Sequence, residues 1–182
     1  QGFSAHYNVS PRRAGSTLGR ARRFDRAAWL LAHILPAPVM LLATNRESTG
    51  VGVRPRPPRI EVTADFSPEW SRIAATGAVI GGVVASVNRW ANLSVAALRR
   101  ANVPVIEGFA PCRHTSRRGW LARYDCYPSN PFICNPDEPM WPTSLGPRSL
   151  RDIATAVWHR FEPEIARIAD AASFNLARRI IT

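Results

Sequence analysis

The stretch from Arg59 to Phe66 alternates polar and apolar residues without a break. Successive side chains of a β-strand point to opposite faces, so this stretch predicts a strand with one polar and one apolar face. The polar face would carry Arg59, Glu61 and Asp65, a guanidinium and two carboxylates that can hold a cation and a phosphate. A strand of an antiparallel sheet with one face in water is the plainer interpretation of the same pattern.

A second alternating stretch, Phe3 to Ser10, places His6 and Asn8 on its polar face. If the two strands are neighbours with their polar faces on the same side, His6 and Asn8 lie near Glu61. A carboxylate and an imidazole together can bind a divalent cation. Mg²⁺ prefers oxygen ligands, whereas a His ligand suits Mn²⁺ or Zn²⁺ better.

Residues 45–56 hold two Gly and show no buried periodicity, which predicts a loop that can bring backbone N–H groups close to a ligand. The loop would end in Arg54 and Arg56, next to Arg59 of the predicted strand. Guanidinium groups hold phosphate oxygens in a planar, bidentate way. This part of the chain therefore predicts a phosphate site beside the carboxylate of Glu61.

Helical periodicity, capping residues and prolines predict the remaining elements. They are a basic loop at 12–23, helices at 24–35, 38–44, 68–87 (Ser67 as N-cap), 93–100 (Asn92 as N-cap) and 150–179 (Ser149 as N-cap, kinked or split at Pro163), and a strand at 103–109. Residues 110–148 hold all three Cys, and six of the 16 Pro fall at 128–147, which predicts an irregular segment. We therefore expect one α+β domain over residues 1–182, an antiparallel or mixed sheet with one polar face, backed by helices.

The net charge of +11 invites a nucleic-acid interpretation, but all 24 basic residues are Arg. Surfaces that bind phosphate backbones normally use Lys as well, so the charge is weak evidence for nucleic acid. Three Cys are too few for a disulfide framework, which favours a reducing cytoplasm. The longest apolar run, residues 73–87, is shorter than the roughly 20 residues of a membrane span. We expect a cytoplasmic protein, with neither nucleic acid nor membrane as a partner.

Two other groupings fall within residues 110–148. The first could bind a metal but lacks the C-x₂-C pair of zinc motifs, so incidental cysteines are favoured; it comprises Cys112, His114, Cys126 and Cys134. The second interleaves aromatic and Arg side chains, as single-strand nucleic-acid binders do, although a lid or packing loop is favoured. It comprises Trp120, Tyr124, Tyr127, Arg117, Arg118 and Arg123.

Three stretches, in the same order, resemble the glutamate–cysteine ligase and carboxylate–amine ligase superfamily, whose catalytic sheet is like that of glutamine synthetase. Residues 5–10 (AHYNVS) look like the family's metal-binding strand. Residues 41–45 and 48–52 look like the helix end and glycine turn that lead to the substrate pocket. Residues 59–65 (RIEVTAD) look like the strand whose Glu bridges metal ions bound with ATP. The resemblance covers roughly residues 3–90 and implies part of a glutamine-synthetase-like fold.

The resemblance implies that His6 and Glu61 are metal ligands and that Arg54 contacts substrate or phosphate. Members often have a phosphate-contacting Arg two positions after that Glu. Thr63 occupies this position here, and Arg59 on the same face is the candidate replacement. The expected site is thus Glu61 and Arg59 in catalysis, Arg54, Arg59 and Asn8 with ATP, and His6 and Glu61 with Mg²⁺ or Mn²⁺.

In such ligases ATP phosphorylates a carboxylate, and an amine then displaces phosphate from the acyl phosphate. The resemblance therefore implies an ATP- and divalent-metal-dependent carboxylate–amine ligase that works by positioning and charge neutralisation. The family's first strand, which carries further metal-binding acids, precedes the His strand, so we expect an N-terminal segment to be missing. The expected partners are a glutamate-like carboxylate, an amine, and either a second copy of the chain or that segment.

Two alternatives from other classes stay open. One is a non-catalytic or truncated form of the same fold that acts as a binding module, which the absence of the upstream acids favours. The other is an Arg-rich nucleic-acid-binding protein, whose affinity would fall steeply with salt concentration.

Overall fold

The computed structural model describes residues 4–10, 17–113 and 118–182, and of residues 17–20 only the backbone. Its fold is α+β, as predicted, and its one sheet is antiparallel and open. The strands are β1 (Ser4–Val9), β2 (Val51–Arg56), β3 (Arg59–Asp65), β4 (Cys112–Arg113) and β5 (Trp120–Ala122). They lie in the order β1-β3-β2-β5-β4, which places β3, the predicted half-polar strand, between β1 and β2.

Six α-helices occur in the described residues, and all of them except α4 pack together behind the sheet. They are α1 (Thr17–Ile34), α2 (Pro36–Ala43), α3 (Trp70–Val87), α4 (Val95–Arg100), α5 (Leu150–Ala166) and α6 (Ala171–Ile181). Helix α1 lies against β2 and β5, and α3 lies against β1. Helices α5 and α6 pack on α2 and α3 from the other side. The helices therefore cover one face of the sheet.

The apolar face of the sheet forms the centre of the core. Ile60 and Val62 of β3 and Val53 of β2 are at most 1% exposed, packed against the helices. Burying each such side chain contributes about 2 kcal/mol, which fixes the register because a slip of one residue would exchange the two faces. The predicted inward orientation is confirmed for Ile60, Val62 and Ala64, but it is wrong for Phe66, which follows β3 and is 55% exposed.

Residues 51–56, which the sequence predicts as a loop, form the strand β2. Gly and Pro disfavour strands, but here pairing with β3 on one side and β5 on the other overrides this local preference. Gly52 has a specific reason to lack a side chain: a Cβ there would lie 2.3 Å from Oγ1 of Thr63. The predicted strand at 103–109 is wrong, because the structure has only an isolated bridge between Ile106 and Thr143 there.

The helices differ from their predictions mainly at their first residues. Helix α1 begins at Thr17 rather than residue 24, since Arg has high helix propensity and the predicted basic loop is helical from Thr17 onward. The rest of that loop, residues 12–16, lies outside the described residues. Ser67 does not cap α3, because its Oγ accepts a hydrogen bond from the N–H of Glu69 and the helix begins at Trp70.

The predicted capping of α5 by Ser149 is confirmed. Its Oγ accepts a hydrogen bond from the N–H of Asp152, whose carboxylate accepts one from the N–H of Ser149. Pro163 lies inside α5, which continues to Ala166, and α6 begins at Ala171. The predicted split therefore occurs several residues after the proline.

Helix α3 is the one helix of the described residues that is long and apolar enough, by length and composition, to cross a membrane. Residues 21–34 of α1 together with α2 pass the same test, but they are bent by 59° at the break between them. In the fold 61% of α3 is buried, and its small residues admit another backbone: a Cβ at Gly82 would lie 2.7 Å from the Cα of Ile165 in α5. This burial fits the core helix of a soluble protein.

Candidate functional site

Three strands bring the polar residues of the predicted site together. Directly opposed residues of antiparallel strands share a face, and the register opposes Asn8, Glu61 and Arg54 in one row and His6, Thr63 and Gly52 in the next. The expectation that the two alternating stretches are sheet neighbours with their polar faces on the same side is confirmed. Their pairing is what places His6 and Asn8 beside Glu61.

The carboxylate of Glu61 lies at the centre of this face and is surrounded by cationic side chains. Its Oε1 is 3.0 Å from Nη1 of Arg54, and its Oε2 is 3.4 Å from Nε of Arg56. Nδ1 of His6 lies 3.9 Å from the same Oε1. Glu61 is only 6% exposed and Thr63 only 8%, so a face open to water is wrong for the middle of β3.

Although Nη1 of Arg54 is 3.0 Å away, Oε1 of Glu61 accepts no hydrogen bond from any described residue. Nε of Arg54 and Nε of Arg56 are likewise buried without a hydrogen-bond partner among these residues. An unsatisfied buried polar group costs about 1–3 kcal/mol, and such groups often mark functional sites. Glu61 therefore retains capacity to bind a further group.

A cleft of about 950 Å³ opens beside the Glu61 cluster on the same side of the sheet, and we call it the larger cleft. Arg54 and Thr63 lie at its floor, and its walls include Asn45, residues 47–50, Arg123 and Tyr124. Its volume is at the upper end of the range for small-molecule pockets. The floor is formed by strands, which hold side chains more rigidly than loops do.

Asp65, the last polar residue of β3, fixes the loop that contains Asn45 and residues 47–50. Its Oδ2 accepts a hydrogen bond from the N–H of Asn45 (3.0 Å) and its Oδ1 from the hydroxyl of Ser48 (3.1 Å). Gly50 has a φ of +113°, and a Cβ there would lie 2.5 Å from the carbonyl oxygen of Ala122. The loop can therefore approach β5 only with glycine at this position.

A smaller cleft of about 410 Å³ lies at the β2–β3 hairpin, on the other side of the Glu61 cluster from Arg54. It is lined by Arg56, Arg59 and Arg118, together with prolines of the hairpin. Arg56 and Arg59 are opposed in the ladder, and Arg56 is the one of the three that also pairs with Glu61. Three guanidinium groups around one cleft favour an anion.

The structure thus separates the predicted arginines. Arg54 lines the larger cleft, whereas Arg59 is exposed and lines the smaller one. Asn8 is exposed and lies opposite Glu61. Sequence reasoning did not place Arg118, Arg123 and Tyr124 at this site, because the non-local pairing of β5 with β2 brings them there.

In the larger cleft, Arg123 forms an ion pair with Asp125 through two hydrogen bonds. These hydrogen bonds raise the pKa of Arg123 and lower the pKa of Asp125. The side chain of Arg123 is therefore held in place by Asp125, two positions further along the chain, rather than by a residue of the sheet.

Of the four residues predicted as an alternative metal set, the structure brings Cys112 and Cys126 together, with Asp125 close by. Cys134 lies apart, where its thiol donates a hydrogen bond to the carbonyl oxygen of Pro131, and His114 is outside the described residues. Within the described parts of the chain, these three are the one group of at least three metal-binding side chains whose ligand atoms lie together. His6 and Glu61 form a set of two.

The chain was also compared with known proteins. No family model, curated protein or solved structure matches it.

Proposed function

We propose that this chain carries the catalytic sheet of an ATP- and divalent-metal-dependent carboxylate–amine ligase that activates a glutamate-like substrate as an acyl phosphate. The observation that carries the proposal is the position of Glu61 between Arg54 and Arg56, which line two different clefts. A ligase of this kind must hold two anions, a polyphosphate and a carboxylate, with their reacting atoms close together. Two Arg-lined clefts, each with one arginine paired to the same carboxylate, fit that requirement.

The residues present fit a divalent cation held by two protein ligands. Mg²⁺ is commonly bound through one or two carboxylates, with waters and substrate phosphates completing its shell. Oε1 of Glu61 has no hydrogen bond, and Nδ1 of His6 lies 3.9 Å from it. Arg54 is close to the same oxygen, so we expect the cation to bind together with a polyphosphate that offsets the two positive charges.

When bound, the cation would neutralise charge on the transferred phosphoryl group. The remaining work falls to this chain. Arg56, Arg59 and Arg118 would bind the polyphosphate in the smaller cleft, and Arg54 would hold the substrate carboxylate at the floor of the larger one. The loop fixed by Asp65 would limit access of water from one side, which protects an acyl phosphate from hydrolysis. No protein nucleophile is needed.

The expected setting follows from the resemblance in the sequence. We propose a cytoplasmic enzyme whose metal site is completed by acids from an N-terminal segment or from a second copy of the chain. The free outer edge of β1, which has a neighbour on one side only among the described strands, is where such a strand would join.

A titration of ATP into the protein, with and without Mn²⁺ or Mg²⁺, tests the proposal. We expect metal-dependent binding to the parent protein and at least tenfold weaker binding to Glu61→Gln. The exposed Glu138→Gln is the control and should bind as the parent does. Phosphate release with glutamate and a panel of amines then tests ligation. Metal-independent binding, or equal affinity of Glu61→Gln and the parent, would contradict the assignment.

A second function is favoured by one specific observation: Glu61 is already paired with two arginines, as a purely structural carboxylate would be. In that case the fold serves as a non-catalytic module that binds an anion. Glu61→Gln would then lose stability without losing metal-dependent nucleotide affinity, because no such affinity would exist in the parent.

A further inference from the structure

Two cysteines from different segments meet at the far end of the sheet from β1. Cys112 lies on β4 and Cys126 at the end of a short 3₁₀ helix, Tyr124–Cys126. Their Sγ atoms are 2.7 Å apart although the residues are 14 positions apart in the chain. Cys126 is 5% exposed, whereas Cys112 is partly exposed. One thiol of the pair is therefore accessible to a reagent and the other is shielded.

The arrangement favours a disulfide over a metal site. A tetrahedral zinc ion with Zn–S bonds of about 2.3 Å would hold two sulfurs about 3.8 Å apart, well beyond the separation here. The third nearby ligand, Asp125, is already bound by the guanidinium of Arg123 through two hydrogen bonds. Two thiols in direct contact, with the nearest carboxylate engaged elsewhere, are set up to bond to each other.

The segment between the two cysteines forms a wall of the larger cleft. It includes β5 and the residues Arg123 and Tyr124, which line that cleft. Among the described residues, β4 is held to β5 by only two residue pairs, Cys112 with Leu121 and Arg113 with Trp120. A covalent link from β4 to the 3₁₀ helix would close this segment into a loop and restrain the wall.

We propose that Cys112 and Cys126 form a reversible disulfide that fixes the Arg123–Tyr124 wall of the larger cleft and thereby makes the cleft sensitive to redox conditions. The site is independent of the proposed ligase activity, since it requires only the thiol pair and the cleft wall. A disulfide whose reduction potential lies near that of the glutathione pool forms and breaks as the pool changes, which suits a regulatory link better than a structural one.

The oxidant is a small-molecule disulfide, RSSR, of the glutathione class. The accessible Cys112 loses its proton and its thiolate attacks one sulfur of RSSR, which breaks the S–S bond and releases RS⁻. Cys126 loses its proton and attacks Sγ of Cys112 in the mixed disulfide, releasing the second RS⁻. The two RS⁻ take up the two protons, so that one dithiol and one RSSR give one protein disulfide and two RSH.

The thiol chemistry also predicts a slow exchange. The hydrogen bond with Cys126, followed by burial, raises the pKa of Cys112 to about 11. Because the thiolate is the attacking species, little of it is present near neutral pH and the rate should rise as the pH is raised. This behaviour separates the pair from the low-pKa cysteines of dedicated oxidoreductases.

The test uses the whole chain, equilibrated with oxidised and reduced glutathione at several ratios and then quenched with acid. Free thiols are counted and the linked peptides are identified by mass spectrometry. We expect the parent and Cys134→Ser each to lose two thiols on oxidation. The parent, which has three free cysteines, should then retain one thiol. Cys112→Ser and, as a second variant in case one fails to fold, Cys126→Ala should form no intramolecular disulfide.

Backbone amide exchange of residues 120–126 then measures the effect on the cleft wall. We expect exchange to slow at least tenfold on oxidation of the parent and of Cys134→Ser, and to stay unchanged in Cys112→Ser. A disulfide that involves Cys134, no disulfide at any ratio, or unchanged exchange would overturn the proposal. So would tight 1:1 binding of Zn²⁺ that protects both thiols, since the pair would then be a metal site.

Discussion

Glu61 and Arg54 lie directly opposite each other on β3 and β2, with Oε1 of the carboxylate 3.0 Å from Nη1 of the guanidinium. Both side chains are nearly buried, at 8% and 11% exposure, and Arg56 approaches from the other side. Removing one partner from a buried ion pair leaves the other charge uncompensated. The carboxylate therefore pairs with one arginine from each of the two clefts.

The first prediction concerns this carboxylate and stability. Glu61→Gln should lower the free energy of unfolding by about 3 kcal/mol, because it leaves two guanidinium groups without their counter-charge. The exposed Glu138→Gln should change it by less than about 0.5 kcal/mol. Urea denaturation followed by circular dichroism measures both. A Glu61→Gln variant as stable as the parent would show that the pairing contributes nothing.

The second prediction tests the packing of Gly52 against Thr63. Gly52→Ala should cost about 2 kcal/mol, because the new Cβ would lie 2.3 Å from Oγ1 of Thr63. In a Thr63→Ala background the same change should cost less than about 1 kcal/mol, since the obstructing atom is gone. Thr63→Val keeps an atom in that place and should give no relief. Equal costs in all three backgrounds would contradict this account of β2.

The third prediction concerns the smaller cleft. Arg59→Ala and Arg118→Ala should each weaken the binding of inorganic tripolyphosphate about tenfold, the equivalent of one lost charge-assisted hydrogen bond. Arg99→Ala, which removes an exposed Arg on α4, is the matched control for net charge. Isothermal titration calorimetry at fixed ionic strength measures the affinities. If all three variants weaken binding equally, attraction by the overall charge is the explanation.

The fourth prediction concerns a buried histidine of α1. Burial lowers the pKa of His33 to about 4, and neither ring nitrogen has a hydrogen-bond partner among the described residues. The unfolded chain, with an ordinary His pKa of about 6.5, binds a proton at this histidine more readily than the folded chain does. The stability that His33 contributes in its neutral form is therefore present above pH 6.5 and is lost as the pH falls towards 4. His33→Leu should lack this loss.

Urea denaturation at several pH values between 4 and 7 measures that difference. As the pH falls, the free energy of unfolding should decrease more for the parent than for His33→Leu, whatever the difference between the two at pH 7. Parallel pH profiles would mean that His33 is protonated in the fold as easily as in the unfolded chain.

The fifth prediction uses two serines at helix starts. Ser149→Ala should lower the stability by about 1 kcal/mol, because it removes the side-chain acceptor of the capping box of α5. Ser94 occupies the same position before α4 but makes no capping hydrogen bond, so Ser94→Ala should be nearly neutral. Thermal unfolding by calorimetry compares the two, and equal losses would show that the hydrogen bond is not the cause.

The sequence predicted the elements whose signal is local. Alternation gave β1 and β3, the capping residues gave α5, and Pro36 marked the break between α1 and α2. The meeting of His6 with Glu61 was predictable because both lie on half-polar strands that turned out to be neighbours.

The strands and site residues that the sequence did not predict depend on contacts between segments distant in the chain. The sequence of β2 contains Gly52 and Pro55, which argue against a strand until the flanking strands are known. Strand β5 has only three residues, so no periodicity can reveal it, and with it came the wall residues Arg123 and Tyr124. The burial of Glu61 was not predictable either, since the arginines that cover it come from β2.

The position of the apolar helix α3 along the chain bears on how the protein folds during synthesis. The helices that cover α3, namely α5 and α6, follow it by more than sixty positions and end at the C-terminus of the described chain. During synthesis this apolar helix leaves the ribosome before α5 and α6, so until they follow it can pack only on the earlier elements β1, α1 and α2. The packing of α3 should therefore be complete only after α6 has been released, and nascent chains stalled before α5 should expose its apolar surface to chaperones.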